Sequence, residues 1–202
     1  MTDSNLKPNS PSCERNQEFI LKVLKKIIKS TDKSLLEIGS GTGQHAVFMS
    51  QWFPKLQWQT SDVKENHNGI NQWLKEYQCK NISTPIFYQS GITEFPGTKP
   101  DIVYTANTLH IMSWGNVQNL IKQLGLNLRR GAQVIIYGPF NYNKQFTSES
   151  NAKFDIWLKQ QYPDAGIRNF ESIVELMHKF DLSLLDDIEM PSNNRILHFQ
   201  KV

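Results

Sequence analysis

Two cysteines, Cys13 and Cys79, are the only thiols in 202 residues, and they lie far apart, with no CxxC pair and no Cys/His cluster. That excludes a disulfide scaffold and leaves no close set of ligands for zinc, so no metal is expected and a reducing compartment is the simpler reading. No apolar stretch approaches the ~18–20 residues that cross a bilayer, and the polar segment from Met1 to Gln17 lacks the apolar core of a secretory signal. A cytoplasmic location with no membrane partner is expected. Runs of like charge are also missing: 22 Lys and Arg against 19 Asp and Glu leave a net +3, which permits contact with nucleic acid without pointing to it. Glycine and proline, at 11 and 9 residues, are too few for a fibrous or disordered chain, and aromatics at 11% supply bulk for a core.

What is present suits one globular domain, expected over residues 14–202, behind a Ser-, Asn- and Pro-rich tail or lid at residues 1–13. From Phe19 onward, Ile20, Val23, Leu24, Ile27 and Ile28 recur at helical spacing with lysines on the other face, which predicts an amphipathic helix buried against a sheet. Short apolar runs then alternate with helical patterns, the arrangement of βαβ units. Strands are predicted at Ser34–Ile38, Gln57–Ser61, Pro85–Gln89, Ile102–Thr105 and Gln133–Tyr137, with helices at His45–Trp52, Ile70–Tyr77 and Val117–Leu128. Helices at Phe154–Gln161 and Ser172–Phe180 follow. Two last strands, Leu182–Glu189 and Arg195–Lys201, flank the turn Pro191-Ser192-Asn193-Asn194 and predict an antiparallel hairpin closing the sheet.

The sharpest local signal is Leu35-Leu36-Glu37-Ile38-Gly39-Ser40-Gly41-Thr42-Gly43-Gln44-His45, an apolar strand running into alternate glycines and then a helix. Glycines there let backbone approach a ligand, and the following helix start offers free N–H groups, so a nucleotide-like ligand at the strand's C-terminal end follows. A dinucleotide fingerprint would carry a third glycine at position 44, where this chain has Gln44. The spacing GxGxG behind the acid Glu37 instead resembles the first motif of class I S-adenosylmethionine (SAM) methyltransferases. Asp62 closes the second strand roughly 20 residues past the glycines, where an acid can accept bonds from ribose hydroxyls, although strand-ending Asp is also a common helix cap.

The fourth strand ends in Asn107-Thr108-Leu109-His110, without the Asn/Asp-Pro-Pro-aromatic motif of enzymes that methylate exocyclic amines of bases. Base methylation is disfavoured. The stretch is similar to that of small-molecule methyltransferases, in which a Leu-His pair follows the strand and the His faces the substrate. His110 is the candidate for orienting or deprotonating an acceptor, its near-neutral ordinary pKa suiting the task, against the plain reading of a core histidine. Tyr137, closing the fifth strand, and Tyr142, Asn151 and Asp155, on the crossover beyond it, fall where a substrate wall would lie. Arg15, in Glu14-Arg15-Asn16 ahead of the first helix, is a candidate for a ligand carboxylate, with helix capping as the alternative for that segment.

A likeness along nearly the whole chain joins these pieces. Ser10-Pro11-Ser12-Cys13-Glu14-Arg15-Asn16, the Gly39–His45 run, Asn107 to Trp114, Tyr137-Gly138-Pro139-Phe140, Ser150-Asn151 to Asp155, Gly166-Ile167-Arg168 and Met190-Pro191-Ser192-Asn193-Asn194 resemble a family of class I methyltransferase-like proteins, the domain of unknown function 938. The resemblance implies a Rossmann-like α/β fold, with a mostly parallel seven-stranded sheet, a C-terminal antiparallel hairpin and helices on both faces. It also implies SAM as cofactor. Glu37, Gly39, Ser40, Gly41, Gly43, Gln44, His45, Asp62, Asn107 and Arg15 then belong to cofactor binding. Arg168, Asn193 and Asn194 join the substrate candidates. Where the family tends to carry an acid after the third strand, this chain has Ser90-Gly91-Ile92, leaving the Ile92 N–H for the adenine. The expected activity is SAM-dependent methyl transfer to an unidentified small molecule. An NAD(P)-dependent oxidoreductase and a SAM-binding protein without catalysis remain as alternatives, and the acceptor and oligomeric state stay open.

Overall fold

The computed structural model describes residues 7–202 except Cys79. It is a mixed α/β fold with a mostly parallel seven-stranded sheet that ends in an antiparallel hairpin, and with six helices among the described residues. The chain divides into two compact units, one running to Tyr88 and the other from Gln89 to Val202.

The first unit runs α1 (Pro11–Ile27), β1 (Ser34–Ile38), α2 (Gln44–Ser50), β2 (Gln57–Asp62), α3 (Lys64–Tyr77) and β3 (Ile82–Phe87). β1 pairs with β2 and β2 with β3, all parallel. Four of the five β1 residues are buried, Glu37 among them, as expected of a parallel strand covered on both faces. β3 is the edge strand, which is why Pro85 is accommodated inside it although it can donate no ladder bond. In α1, Ile20, Leu21, Leu24 and Ile27 are buried while Lys22, Lys25 and Lys26 stay exposed, so the helix shields one apolar stripe.

The second unit contains β4 (Ile102–Ala106), α4 (Trp114–Asn127), β5 (Gln133–Gly138), β6 (Phe140–Asn141), α5 (Glu149–Gln161), β7 (Arg168–Asn169), α6 (Phe170–Lys179), β8 (Leu182–Met190) and β9 (Asn194–Lys201). β4 and β5 are parallel, β5 and β9 antiparallel, and β8 folds back on β9. The hairpin turn holds Ser192 and Asn193 at φ 59° and 57°, the left-handed pair that matches strand twist. Asn194 Nδ2 donates to the carbonyls of Pro191 and Ser192.

Differences from the sequence-based expectation cluster at helix starts, and β3 runs Ile82–Phe87 rather than Pro85–Gln89. α1 begins at Pro11 rather than Phe19, so residues 11–13 are helix and not tail, and Glu14-Arg15-Asn16 lies inside the first helix instead of ahead of it. Pro11 sits where its fixed φ favours helix entry and its missing N–H costs nothing. α5 begins at Glu149 rather than Phe154 because Ser148 accepts a bond from the Asn151 N–H, a polar cap that apolar periodicity does not register. Residues 1–6 of the expected tail lie outside the described residues. The parallel pair β6–β7, two residues a side, was not expected; it is too short to carry a pattern.

Candidate functional site

The glycine run forms a tight turn at the end of β1. Gly39, Gly41 and Gly43 have φ of 71°, 58° and 88°, a left-handed sequence that side-chain-bearing residues adopt only under strain. The Gly39 and Ser40 N–H groups both donate to the Ser61 carbonyl at 3.0 Å, and the Ser61 N–H returns a bond to Ser40 Oγ at 3.1 Å. These bonds fasten the turn to the end of β2. There Asp62 accepts the Gly41 N–H at 2.6 Å with Oδ2, while Oδ1 takes the Val63 N–H and Asn66 Nδ2. The two motifs thus meet at a hydrogen bond. A Cβ at Gly41 would meet nothing within 4 Å, so the backbone is open at Gly41, whereas at Gly43 it would fall 3.1 Å from the Ile70 Cα.

Beneath the turn, Glu37 is 2% exposed and accepts the Trp58 indole N–H at 2.9 Å. Burial pushes its carboxyl up to about 7, against the opposing bonds from Trp58 and Ser40 and with a further upward push from Asp62. Among the described residues its partners include no cation.

The start of α1 meets the same turn. Asn16, buried in the helix, bonds His45 Nε2 through Oδ1 at 2.7 Å, and burial lowers the buried His45 imidazole to about 4. Asn16 was not among the predicted ligand-site residues. Its signal was present in the sequence, since Asn16 falls four residues before Ile20 on the stripe that α1 buries. Arg15 is exposed, with Ser12 Oγ as its bond at 3.2 Å. Gln44, 4% exposed, accepts the Ser10 N–H and the Thr42 hydroxyl and donates to Asn9.

In the second unit, Asn107 follows β4 at φ 56° and its N–H donates to the Tyr137 carbonyl at 2.9 Å. The buried His110 ring packs edge-on to Phe154, with centroids 5.4 Å apart, and Phe154 stacks on the half-exposed Trp157 at 5.9 Å. A near-neutral imidazole is not what the structure holds. Burial, with a smaller contribution from the Arg168 charge, lowers His110 to about 4.

Other substrate candidates are engaged within the chain. Arg168 Nε donates to the Leu109 carbonyl at 3.0 Å, and its guanidinium also bonds the carbonyls of Met112 and Asp164. Asp155 accepts the Ile167 N–H at 2.7 Å and pairs with Lys159. Asn151 Nδ2 reaches the Asn193 carbonyl in the hairpin turn. The Tyr142 hydroxyl donates to Asp187 at 2.8 Å while its ring stacks on Phe170; burial and that carboxylate push its pKa well up. Tyr137 is buried in β5. The Ile92 N–H, expected to serve an adenine, donates to the Gln89 carbonyl at 3.0 Å, closing a turn.

Among solved structures, the fold is similar to an O-methyltransferase described as putative from Nostoc punctiforme, at TM-score 0.81 and 14% identity over 95% of this chain and 57% of that one. It is similar to human N-acetylserotonin methyltransferase in complex with SAM, at 0.78 and 13% over 94% and 52%. Mitomycin 7-O-methyltransferase MmcR matches at 0.80 and 13% over 93% and 54%. The chain spans little more than half the length of these proteins, and at such identities the likeness is one of fold. Residues 7–201 match the model of the family described as protein of unknown function, DUF938, and the chain belongs to that family.

Proposed function

We propose that the protein is a SAM-dependent methyltransferase for a small molecule, with the glycine turn and Asp62 as the cofactor cradle. The observation that carries this reading is the charge around the turn. Glu37, buried with no cation among its partners in the described residues, and Asp62, bonded to the Gly41 N–H, set two acids beside the open backbone at Gly41. A pyrophosphate would add negative charge there, whereas SAM brings a sulfonium and an ammonium, and an opposite charge close by favours the ionised carboxylates. Such a donor set fits SAM and disfavours NAD(P).

When bound, SAM would supply an electrophilic methyl, whose bond to sulfur breaks as the bond to the acceptor forms, the sulfur leaving as the SAH thioether and the proton of a hydroxyl or amine acceptor passing to solvent. The chain's part is to hold and align. Gly39 and Gly41 offer close backbone for the methionine part, Gly43 lets the turn pack on Ile70 as it enters α2, Glu37 attracts the ammonium through the turn, and Asp62 receives the ribose hydroxyls. His45, kept neutral by burial and bonded to Asn16, ties α2 to α1 behind the turn. His110 is assigned to the acceptor side as a neutral hydrogen-bond acceptor, since an imidazole lowered to about 4 is unprotonated at pH 7 yet a weak base. Alignment therefore carries more of the rate than proton abstraction.

The alternative of a SAM-binding protein without turnover is favoured by one observation, the commitment of Arg168, Asp155, Asn151 and Tyr142 to intrachain bonds. Calorimetry with SAM, S-adenosylhomocysteine (SAH) and NAD tests the cofactor. SAH binding with no NAD binding is expected, and Asp62→Ala should weaken SAH about 10- to 100-fold. NAD binding tighter than SAM overturns the reading. Methyl transfer from labelled SAM to any of a panel of small hydroxyl and amine acceptors separates enzyme from binder.

A further inference from the structure

Gln44 stands at the first position of α2, directly after Gly43, and its side chain does not point to solvent. Its amide oxygen accepts the Thr42 hydroxyl at 2.8 Å and the Ser10 N–H at 2.5 Å, and its amide nitrogen donates to Asn9 Oδ1 at 2.7 Å. One side chain therefore joins the glycine turn to the segment ahead of α1. Cys13, in the first turn of α1, lies within bonding reach of Thr42 and Ser10 as well.

The segment Lys7–Ser10 is a strap with its own seat on α3. The Trp73 indole N–H donates to the Pro8 carbonyl at 2.7 Å, Lys7 Nζ lies 3.5 Å from the Trp73 ring centroid, and Lys7 pairs with Glu76 at 2.6 Å. Gly69 belongs to this seat. It lies inside a helix, where glycine costs roughly 0.5–1 kcal/mol relative to alanine, and a Cβ there would fall 2.5 Å from Pro8 Cγ. The close approach of the strap accounts for the residue.

We infer that Gln44 is a positioning residue that couples the glycine turn to the strap, so that filling the turn with cofactor and docking the strap on α3 reinforce one another. The inference rests on the reading of the turn as the SAM cradle. Its physical basis is that Thr42 Oγ1 bonds both the Gln44 N–H and the Gln44 amide oxygen, while the same amide is the strap's bond to the turn. A ligand that orders residues 39–43 orders the Gln44 side chain, and the strap then loses less freedom on docking.

The test uses the full chain and three measurements: SAH affinity by calorimetry, the indole resonance of Trp73 (assigned with Trp73→Phe), and hydrogen exchange at Ser10. In the wild type, SAH should slow Ser10 exchange and shift the Trp73 indole signal, though Trp73 belongs to α3 and not to the turn. Gln44→Ala should weaken SAH about five- to tenfold and abolish both responses. Asn9→Ala, which leaves the turn's own residues intact, should do the same in smaller measure. It serves as the second variant if Gln44→Ala melts early. Variants whose indole signal shows a loosened strap while SAH affinity matches the wild type overturn the coupling alone. A wild type that binds no SAH overturns the cofactor reading and this inference with it.

Discussion

Replacing Glu37 with Gln isolates the electrostatic cost of the buried acid under the glycine turn. The amide keeps the shape and an oxygen for the Trp58 indole N–H, and it removes the ionisation. Burial raises the Glu37 carboxyl from its ordinary 4.5 to about 7, so between those values the folded state holds a proton that the unfolded chain has released. The folded state binds more protons in that window, and stability therefore falls as pH rises from about 4.5 to about 7, then levels off. At 1.36 kcal/mol per unit the loss amounts to about 3 kcal/mol. His45 and His110 act in the opposite direction: both are lowered from 6.5 to about 4, so each costs stability as pH falls through that range. Wild type alone would show the sum; the difference from Glu37→Gln cancels the histidines. Urea unfolding at pH 5, 6, 7 and 8 should show the variant near wild type at pH 5 and more stable by about 3 kcal/mol at pH 8, which for a chain of this length is roughly 6–12 °C in Tm. Parallel pH curves for the two proteins would refute the buried, uncompensated acid. A bound cation should narrow the gap, since it favours the ionised carboxylate, so repeating the series with saturating SAM gives a second reading of the same group.

Asn16→Ala should cost about 1–3 kcal/mol in urea unfolding, because it leaves His45 Nε2 buried without the Asn16 oxygen. A variant within experimental error of wild type would mean that the pair contributes nothing. Gly43→Ala places a Cβ 3.1 Å from the Ile70 Cα at a φ of 88°, and should destabilise by roughly 1–3 kcal/mol, read as a lowered Tm. Arg168→Gln removes a guanidinium held by three carbonyls, so a loss of about 1–3 kcal/mol is expected together with a rise in the His110 pKa, followed by the NMR titration of its ring. An unshifted titration would remove Arg168 from the electrostatics of His110.

The parts of the fold written in apolar residues were legible, and those written in polar contacts were not. β1 was read to the residue because Leu35, Leu36 and Ile38 are buried between polar neighbours. α1, α3 and α5 were each begun late, because their first turns are polar and follow Ser10, Val63 and Ser148 rather than an apolar repeat. The glycine turn and Asp62 could be named from spacing, since positive φ and a strand-ending acid leave a direct mark on residue type. Their joining at the Gly41 N–H could not, because it depends on the register that sets Ile38 opposite Ser61. The strap was legible only as a polar tail. Its seat is made by Gly69, Trp73 and Glu76, more than 60 residues further along, and no local pattern connects them to Lys7 or Pro8.

If an acceptor binds at His110, as proposed, the polar residues there constrain it through what they have already bonded. Arg168 would be the natural partner for a carboxylate or phosphate, but its guanidinium is turned onto the carbonyls of Leu109, Met112 and Asp164. Asp155 would suit an amine, but its charge is already paired with Lys159 and it also holds the Ile167 N–H. The cluster retains a neutral imidazole and, beside it, the rings of Phe154 and Trp157. An uncharged hydroxyl acceptor meets that set without leaving a charge unpaired, whereas an anion or a cation would have to displace a strut that ties α5 or the His110 turn in place. If transfer from SAM is found, the acceptors that turn over should be neutral at the assay pH, and adding a carboxylate or an amine to an accepted molecule should raise KM before it lowers kcat. Equal kcat/KM for the neutral and charged members of such a pair would place the acceptor away from His110.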